Sequence, residues 1–367
     1  MPYGTVNADV IQTSTSGGIL GAGNASIMKN RIINGAMVID QRNAGASVSS
    51  GFSVDRFGLQ FSSASKFTAQ QNAGSVTPPT GFSYYLGCTS SAATSLGASD
   101  YYGIYQNIEG FNFSDCQFGT ASAKTINLSF QVYSSLTGTF GGALRNSANN
   151  RSYPFTYTIS SANTWTTASI TIAGDTSGTW VGATNGIGIA VLFSLGTGST
   201  LSGTAGAWGS ANYLSATGAT SVVGTNGATF YITGVQLEVG SSATGFEYVN
   251  YQTSLANCQR YCQKLASGGG AYPAFSSGFA TSGTGGNTYL KYANTMRSGP
   301  SLTYSGTLAI TYGTGSTSNL TAVGSVYSGT DSMLWQPSCG GGLSNGQAVM
   351  VLANNDTSAY ILLSAEL

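Results

Sequence analysis

YITGVQLEVGSSATGFEYVNYQTSLANCQRYCQKL, residues 231–265, is where the chain changes period, and the rest of the fold is read outward from it. In its first part Tyr231, Thr233, Val235, Leu237 and Val239 fall at alternate positions, as a half-buried strand requires. Beyond Thr253 or Ser254, either a competent N-cap, Leu255, Cys258, Cys262 and Leu265 recur at helical spacing until Gly268–Gly270 stop the run. This predicts a connecting helix over 252–265 with a short heptad-like seam. Two fates are open to the seam: packing on the chain's own sandwich, or meeting copies of itself around an axis.

Composition sets the class around that stretch. Across 367 residues, 52 glycines, only 7 prolines and 21 tyrosines point to short strands joined by tight turns, an all-β protein. Charged residues make up 7% and balance at twelve of each sign, so no electrostatic footprint for nucleic acid or anionic lipid exists. Low charge also leaves little repulsion against self-association. The absence of histidine excludes Ser-His-Asp and Cys-His nucleophiles, His-bearing zinc sites and imidazole pH sensing. Five cysteines, Cys88, Cys116, Cys258, Cys262 and Cys339, read as reduced and buried, in keeping with assembly in a reducing cytoplasm. MPYGTVNADV has no signal-peptide pattern, and no apolar run approaches a membrane span.

Residues 1–28 are rich in Gly, Ser and Thr and read either as an attachment segment ordered by a partner or as a loose terminus. In GFSVDRFGLQFS the adjacent charges Asp55 and Arg56 are expected in structural ion pairs, Asp55 with Arg42 or Arg56 with Asp40. Strands are predicted over 66–71, 82–87, 125–133, 153–159, 165–172 and 186–195, and 196–228 reads as a long loop. Together with the flanking runs this gives about nine strands between 29 and 251, enough for two packed sheets. Beyond the helix, strands are expected over 272–279, 287–293, 301–305, 307–312, 325–327, 348–353 and 359–367. Glu109 is the most conspicuous single acid, read as bonded or paired. No cofactor is expected; a structural calcium stays open, but Asp175 alone does not make a site for it.

The run TGVQLEVGSSATGFEYVNYQTSLANCQRYCQK resembles the close of a jelly-roll domain found in bacteriophage tail fibre and other virion appendage proteins, with Cys262 where a second Tyr usually stands. KNRIINGAMVIDQRNAG resembles that domain's opening strand, with Asn34-Gly35 as a turn or bulge, and Gln106–Gly110 resembles its Q-x-I-E-G signature. The resemblance implies an attachment segment at 1–28, a jelly-roll sandwich at 29–251, a connecting helix at 252–265 and a smaller C-terminal β-sandwich at 266–367. It also implies a virion structural protein, assembled in the host cytoplasm: a homotrimeric tail fibre or appendage subunit. Such a subunit would attach to another tail or capsid protein through residues 1–28 and recognise a host surface glycan.

A capsid decoration or adaptor subunit is the alternative. A glycan depolymerase is more remote, because no paired carboxylates are evident. Leu255, Cys258, Cys262 and Leu265 would then form the oligomer seam. Glycan contact is expected from the C-terminal unit, through Trp335 in SMLWQPSCGGG and through Tyr272, Tyr289 and Tyr292, because aromatic faces stack on sugar rings.

Overall fold

The computed structural model describes residues 28–313 and 315–367, together with two short strand pieces, Ile11–Gln12 and Ile19–Leu20. Apart from Met28 and those pieces, the attachment segment expected over 1–28 lies outside the described residues. The chain forms two compact units. Among the described residues the first comprises 28–38, 47–51 and 58–249, and the second 39–46, 52–57 and 250–367.

The first unit holds two five-stranded antiparallel sheets. In spatial order one sheet runs Thr166–Ile172, Ile126–Ser134, Thr229–Val239, Leu86–Ser90 and Phe67–Gln71. The other runs Gly58–Phe61, Tyr101–Glu109, Ile187–Thr197, Gly138–Arg145 and Ser152–Ile159. Phe130 of the first sheet meets Phe193 and Tyr157 of the second edge to face, with centroids 5.0 and 4.9 Å apart, so interdigitated aromatic rings join the layers. Thr229–Val239 is buried at almost every position, which means both its faces are covered and its alternation records only the pleat.

The expected opening strand at 29–45 is absent. Asn34 and Met37 take φ of 61° and 58°, left-handed values that break an extended run, and the Met37 amide donates to the Asn34 carbonyl to close a turn. A Cβ on Gly35 would lie 2.1 Å from the Val235 carbonyl oxygen, so only glycine fits there.

The predicted helix is shorter than 252–265. It spans Tyr251–Gln259 and is capped by Asn250, whose side chain accepts from the Thr253 amide at 2.9 Å, rather than by Thr253 or Ser254. Cys262 and Leu265 lie on the strand Cys262–Ala266, paired with Ser364 and Ile361. The four seam residues therefore share no helical face, and Cys258 and Cys262 are fully buried, so the expected oligomer seam is not formed.

In the second unit, the strands Cys262–Ala266, Tyr360–Ser364 and Ser301–Ser305 make a three-stranded sheet. An eight-stranded sheet runs Val326–Ser328, Ser332–Trp335, Gly286–Lys291, Ala274–Ala280, Ala348–Ala353, Leu308–Tyr312, Ser316–Ala322 and Ser338–Cys339. This sheet curls on itself, because its last strand returns to bridge Gly285 through Ser338. Trp335, Met333, Ile310, Val351, Ile361 and Leu363 lie in the core of this unit. Among the described residues the chain is all-β with a single α-helix.

Candidate functional site

The outward face of the second sheet of the first unit carries an open cleft of about 320 Å³. Strand pleat decides which side chains reach it. Along Tyr101–Glu109, Tyr102, Ile104, Gln106 and Ile108 are buried, while Tyr101, Tyr105 and Asn107 remain partly exposed. The register then sets lateral neighbours: Gly58 opposite Tyr105 opposite Leu192, and Asn107 opposite Ala190 opposite Arg145. Gln60 enters from the edge strand opposite Gly103. Tyr101 and Tyr105 are four residues apart on one strand, so their attachment points are separated by about 13 Å.

Small neighbours make room for the tyrosines. A Cβ on Gly58 would lie 2.5 Å from Tyr105 Cζ and 2.6 Å from Cε1, so the ring lies over bare backbone on the edge strand. Tyr101, Tyr105 and Leu201 pack against the buried cluster of Ala190, Leu192 and Leu214, which ties the long loop between 198 and 216 to this face. Tyr101 and Gln60 both line the cleft.

Arg145 is the cation of the cleft. Its Nη1 donates to Asn212 Oδ1 at 2.6 Å, and its Nε is buried without a partner among the described residues. Burial pulls its pKa below the ordinary arginine value, against a smaller opposite influence from Tyr101. Arg31, Arg42, Arg56 and Arg151 each face a carboxylate, whereas Arg145 faces none among the described residues. Trp180 and Trp208 are differently disposed, packed edge to face with centroids 5.3 Å apart and with both indole N–H groups donating to backbone carbonyls. Asp175 grips Arg151 through two bonds of 2.7 and 2.6 Å, and no group of carboxylates suited to a metal occurs among the described residues.

The residues expected to touch glycan are scattered. Trp335 is fully buried on an inward strand position, and its Nε1 donates to the Val323 carbonyl at 2.6 Å, so it is a core residue and not a ligand contact. Tyr292 is also buried. Tyr272 and Tyr289 are more than half exposed. Tyr289 stands in a row of exposed side chains across the curled sheet, Tyr327–Leu334–Tyr289–Ser277–Met350, which Trp335 and Tyr292 do not join.

The charged residues expected in ion pairs form a buried network in the second unit. Arg42 stands 3.8 Å from Asp55 and 3.0 Å from Glu366, and Arg56 pairs with Glu366 rather than with Asp40. The Arg56 guanidinium lies 3.5 Å from the Tyr261 ring centroid. Asp40 instead accepts from the amides of Asn43 and Gly45. Burial pushes the Asp55 carboxyl up to about 6, with Gln41 and Arg42 pulling the other way. Glu109 is buried at the end of its strand.

No protein-family model and no curated protein matches the chain. Solved structures give distant likenesses. The enzymatically active domain of tailspike protein 4 from bacteriophage CBA120 is 13% identical over 58% of this chain and 22% of that one, with a TM-score of 0.33. A family 11 carbohydrate-binding module from Clostridium thermocellum, in complex with a mixed-linked tetrasaccharide, is 14% identical over 53% of this chain and 95% of its own, TM-score 0.28. The CBM22-1–CBM22-2 tandem domain of Xyn10C from Paenibacillus barcinonensis is 9% identical over 89% of this chain and 98% of its own, TM-score 0.26.

Proposed function

We propose that the protein is a glycan-recognising subunit of a bacteriophage appendage and that the sugar sits in the cleft of the first unit. The observation that carries this reading is the pair Tyr101 and Tyr105, held on the open face of a rigid sheet beside Gln60, Asn107 and Arg145. Aromatic faces cover the C–H surfaces of a sugar ring, while short polar groups at the rim bond its hydroxyls. The residues lining the cleft include no carboxylate, and cleavage of a glycosidic bond commonly requires two. Binding without cleavage is the chemistry this supports. The virion setting and a threefold assembly rest on the resemblance of residues 233–264 to appendage proteins.

Three measurements test the proposal. Purified full-length protein is screened against bacterial surface oligosaccharides, and titration of the best binder is repeated with Tyr101→Ala and Tyr105→Ala. Each variant is expected to lose about tenfold in affinity, on the order of 1.4 kcal/mol. Unchanged affinity in both would remove the cleft from the account. Sedimentation tests the trimer, which a single species of one chain's mass would overturn. Antibody-gold imaging of released particles tests the appendage, and label spread over the capsid would favour decoration instead.

A further inference from the structure

We infer that the ligand of this cleft carries a carboxylate and that Arg145 is the residue that selects it, an inference that rests on the reading of the cleft as a glycan site. A guanidinium removed from water costs free energy unless an anion and a full set of acceptors compensate it. Arg145 has neither among the described residues: its one side-chain acceptor is the neutral amide oxygen of Asn212, and Nε is buried unbonded. Its depressed pKa has desolvation as the leading cause and no carboxylate among its influences.

Elsewhere Arg31, Arg42, Arg56 and Arg151 each face a carboxylate, and Arg297 donates to the carbonyls of Ala365 and Glu366. Arg151 is held by both oxygens of Asp175, and Arg31 lies 2.7 Å from Asp115. In a protein with only 7% charged residues, a part-buried cation on the wall of a cleft, facing no carboxylate among the described residues, marks where negative charge is to be supplied from outside. The guanidinium fork matches a carboxylate in shape as well as charge. Tyr105 stands two strands from Arg145, across Ile187–Thr197, and one pleat along in register, so a saccharide stacked on the tyrosine and lying across the sheet would bring a substituent toward the arginine. The chemical class is therefore a uronate-type acidic saccharide rather than a neutral one.

The test compares matched pairs: tetrasaccharides of galacturonate, glucuronate and mannuronate, each against its carboxyl-reduced neutral counterpart, titrated into the full-length protein. At least one acidic member is expected to bind tenfold or more tightly than its reduced partner. Arg145→Gln should abolish that preference by weakening the acidic member at least tenfold more than the neutral one, Arg145→Lys should retain part of it, and Tyr105→Ala should weaken both members together. Should Arg145→Gln fail to fold, the wild-type ratio and Arg145→Lys decide. Equal affinity for acidic and reduced members, or a preference that survives Arg145→Gln, overturns this inference, and loss of both members in Tyr105→Ala then still upholds the cleft. Absence of binding to every acidic and neutral saccharide overturns the inference and the cleft reading together.

Discussion

Replacing Arg56 by Met should destabilise the second unit by about 4 kcal/mol. Arg56 is 2% exposed, pairs with Glu366 and stacks on Tyr261 at 3.5 Å, while Asp55 lies nearby with no exposure. In the intact network two guanidinium groups balance two carboxylates. Removing one leaves Arg42 to serve both Glu366, at 3.0 Å, and Asp55, at 3.8 Å. Breaking a buried pair costs about 3–5 kcal/mol, and a desolvated cation–π contact is worth about 2. The second overlaps the first, and Arg42 recovers part of the loss.

With a urea slope of about 2 kcal/mol per molar, the midpoint should fall by about 2 M. Trp335 is the second unit's tryptophan, so fluorotryptophan labelling and ¹⁹F NMR follow that unit's own transition. Adding Glu366→Gln to Arg56→Met restores charge balance and should recover about half the loss, a coupling that a double-mutant cycle reads directly. A single-variant cost below about 1 kcal/mol would show that the network does not hold the unit.

Four further outcomes follow from the geometry. Gly58→Val places a Cβ 2.5 Å from Tyr105 Cζ and must push the ring by about 1 Å to reach ordinary contact, so saccharide affinity should fall about tenfold by titration without any ligand contact being removed. Asp55 has a native pKa of about 6, above its unfolded value of about 3.9, so its contribution to stability is greatest below pH 4 and is lost as pH rises through 6. That difference is about 3 kcal/mol, and urea midpoints across pH 4–8 should show it in the wild type but not in Asp55→Asn. Trp335→Phe, by leaving the Val323 carbonyl unpartnered, should cost about 1–3 kcal/mol in the same unfolding assay, and titration should show unchanged saccharide affinity. Residues 250–367 expressed alone should lack the dispersed amide spectrum of a folded domain, and joining residues 39–57 to them through a flexible linker should restore it.

The all-β class was legible because it rests on turn chemistry and alternation, which are local. Thr229–Val239, Ile126–Ser134 and Thr166–Ile172 stand within a residue or two of where their patterns place them. Gly138–Arg145 was missed because its outward positions face small residues and loop, and GTFGGALR offers no alternation. Tyr101–Glu109 was not among the predicted strands, because five aromatics in YYGIYQNIEGFNF obscure which face each takes. The cleft was invisible for the same reason: Tyr105 matters through its register with Gly58, and Arg145 through an absence of carboxylates that only tertiary structure reveals. Trp335 misled because Pro337 and the following glycines mark a loop, yet the loop begins one residue beyond it. One available signal was the alternation of Met333 and Trp335 about the exposed Leu334.

The segment from Ile39 to Phe57 shows how far the linear order of the chain can mislead about function. By sequence it opens the first sandwich, but Gln41, Arg42, Asp55 and Arg56 belong to the second unit. There Gln41 Nε2 donates to the Cys262 carbonyl at 2.9 Å, Lys264 Nζ donates to the Arg42 carbonyl at 3.0 Å, and Arg297 holds the carbonyls of Ala365 and Glu366 at 2.8 Å each. Cutting the chain at 265 would remove Glu366 from Arg56 and leave buried charge uncompensated, so a truncated protein that failed to bind saccharide would report misfolding as readily as a lost binding site. Recognition is therefore better assigned by single changes on exposed faces, Tyr105 and Arg145 on the cleft of the first unit and Tyr289 or Tyr327 on the curled sheet of the second. None of these four side chains belongs to the Arg42–Asp55–Arg56–Glu366 network, so a loss of binding at any of them with an unchanged urea midpoint reads as contact rather than collapse.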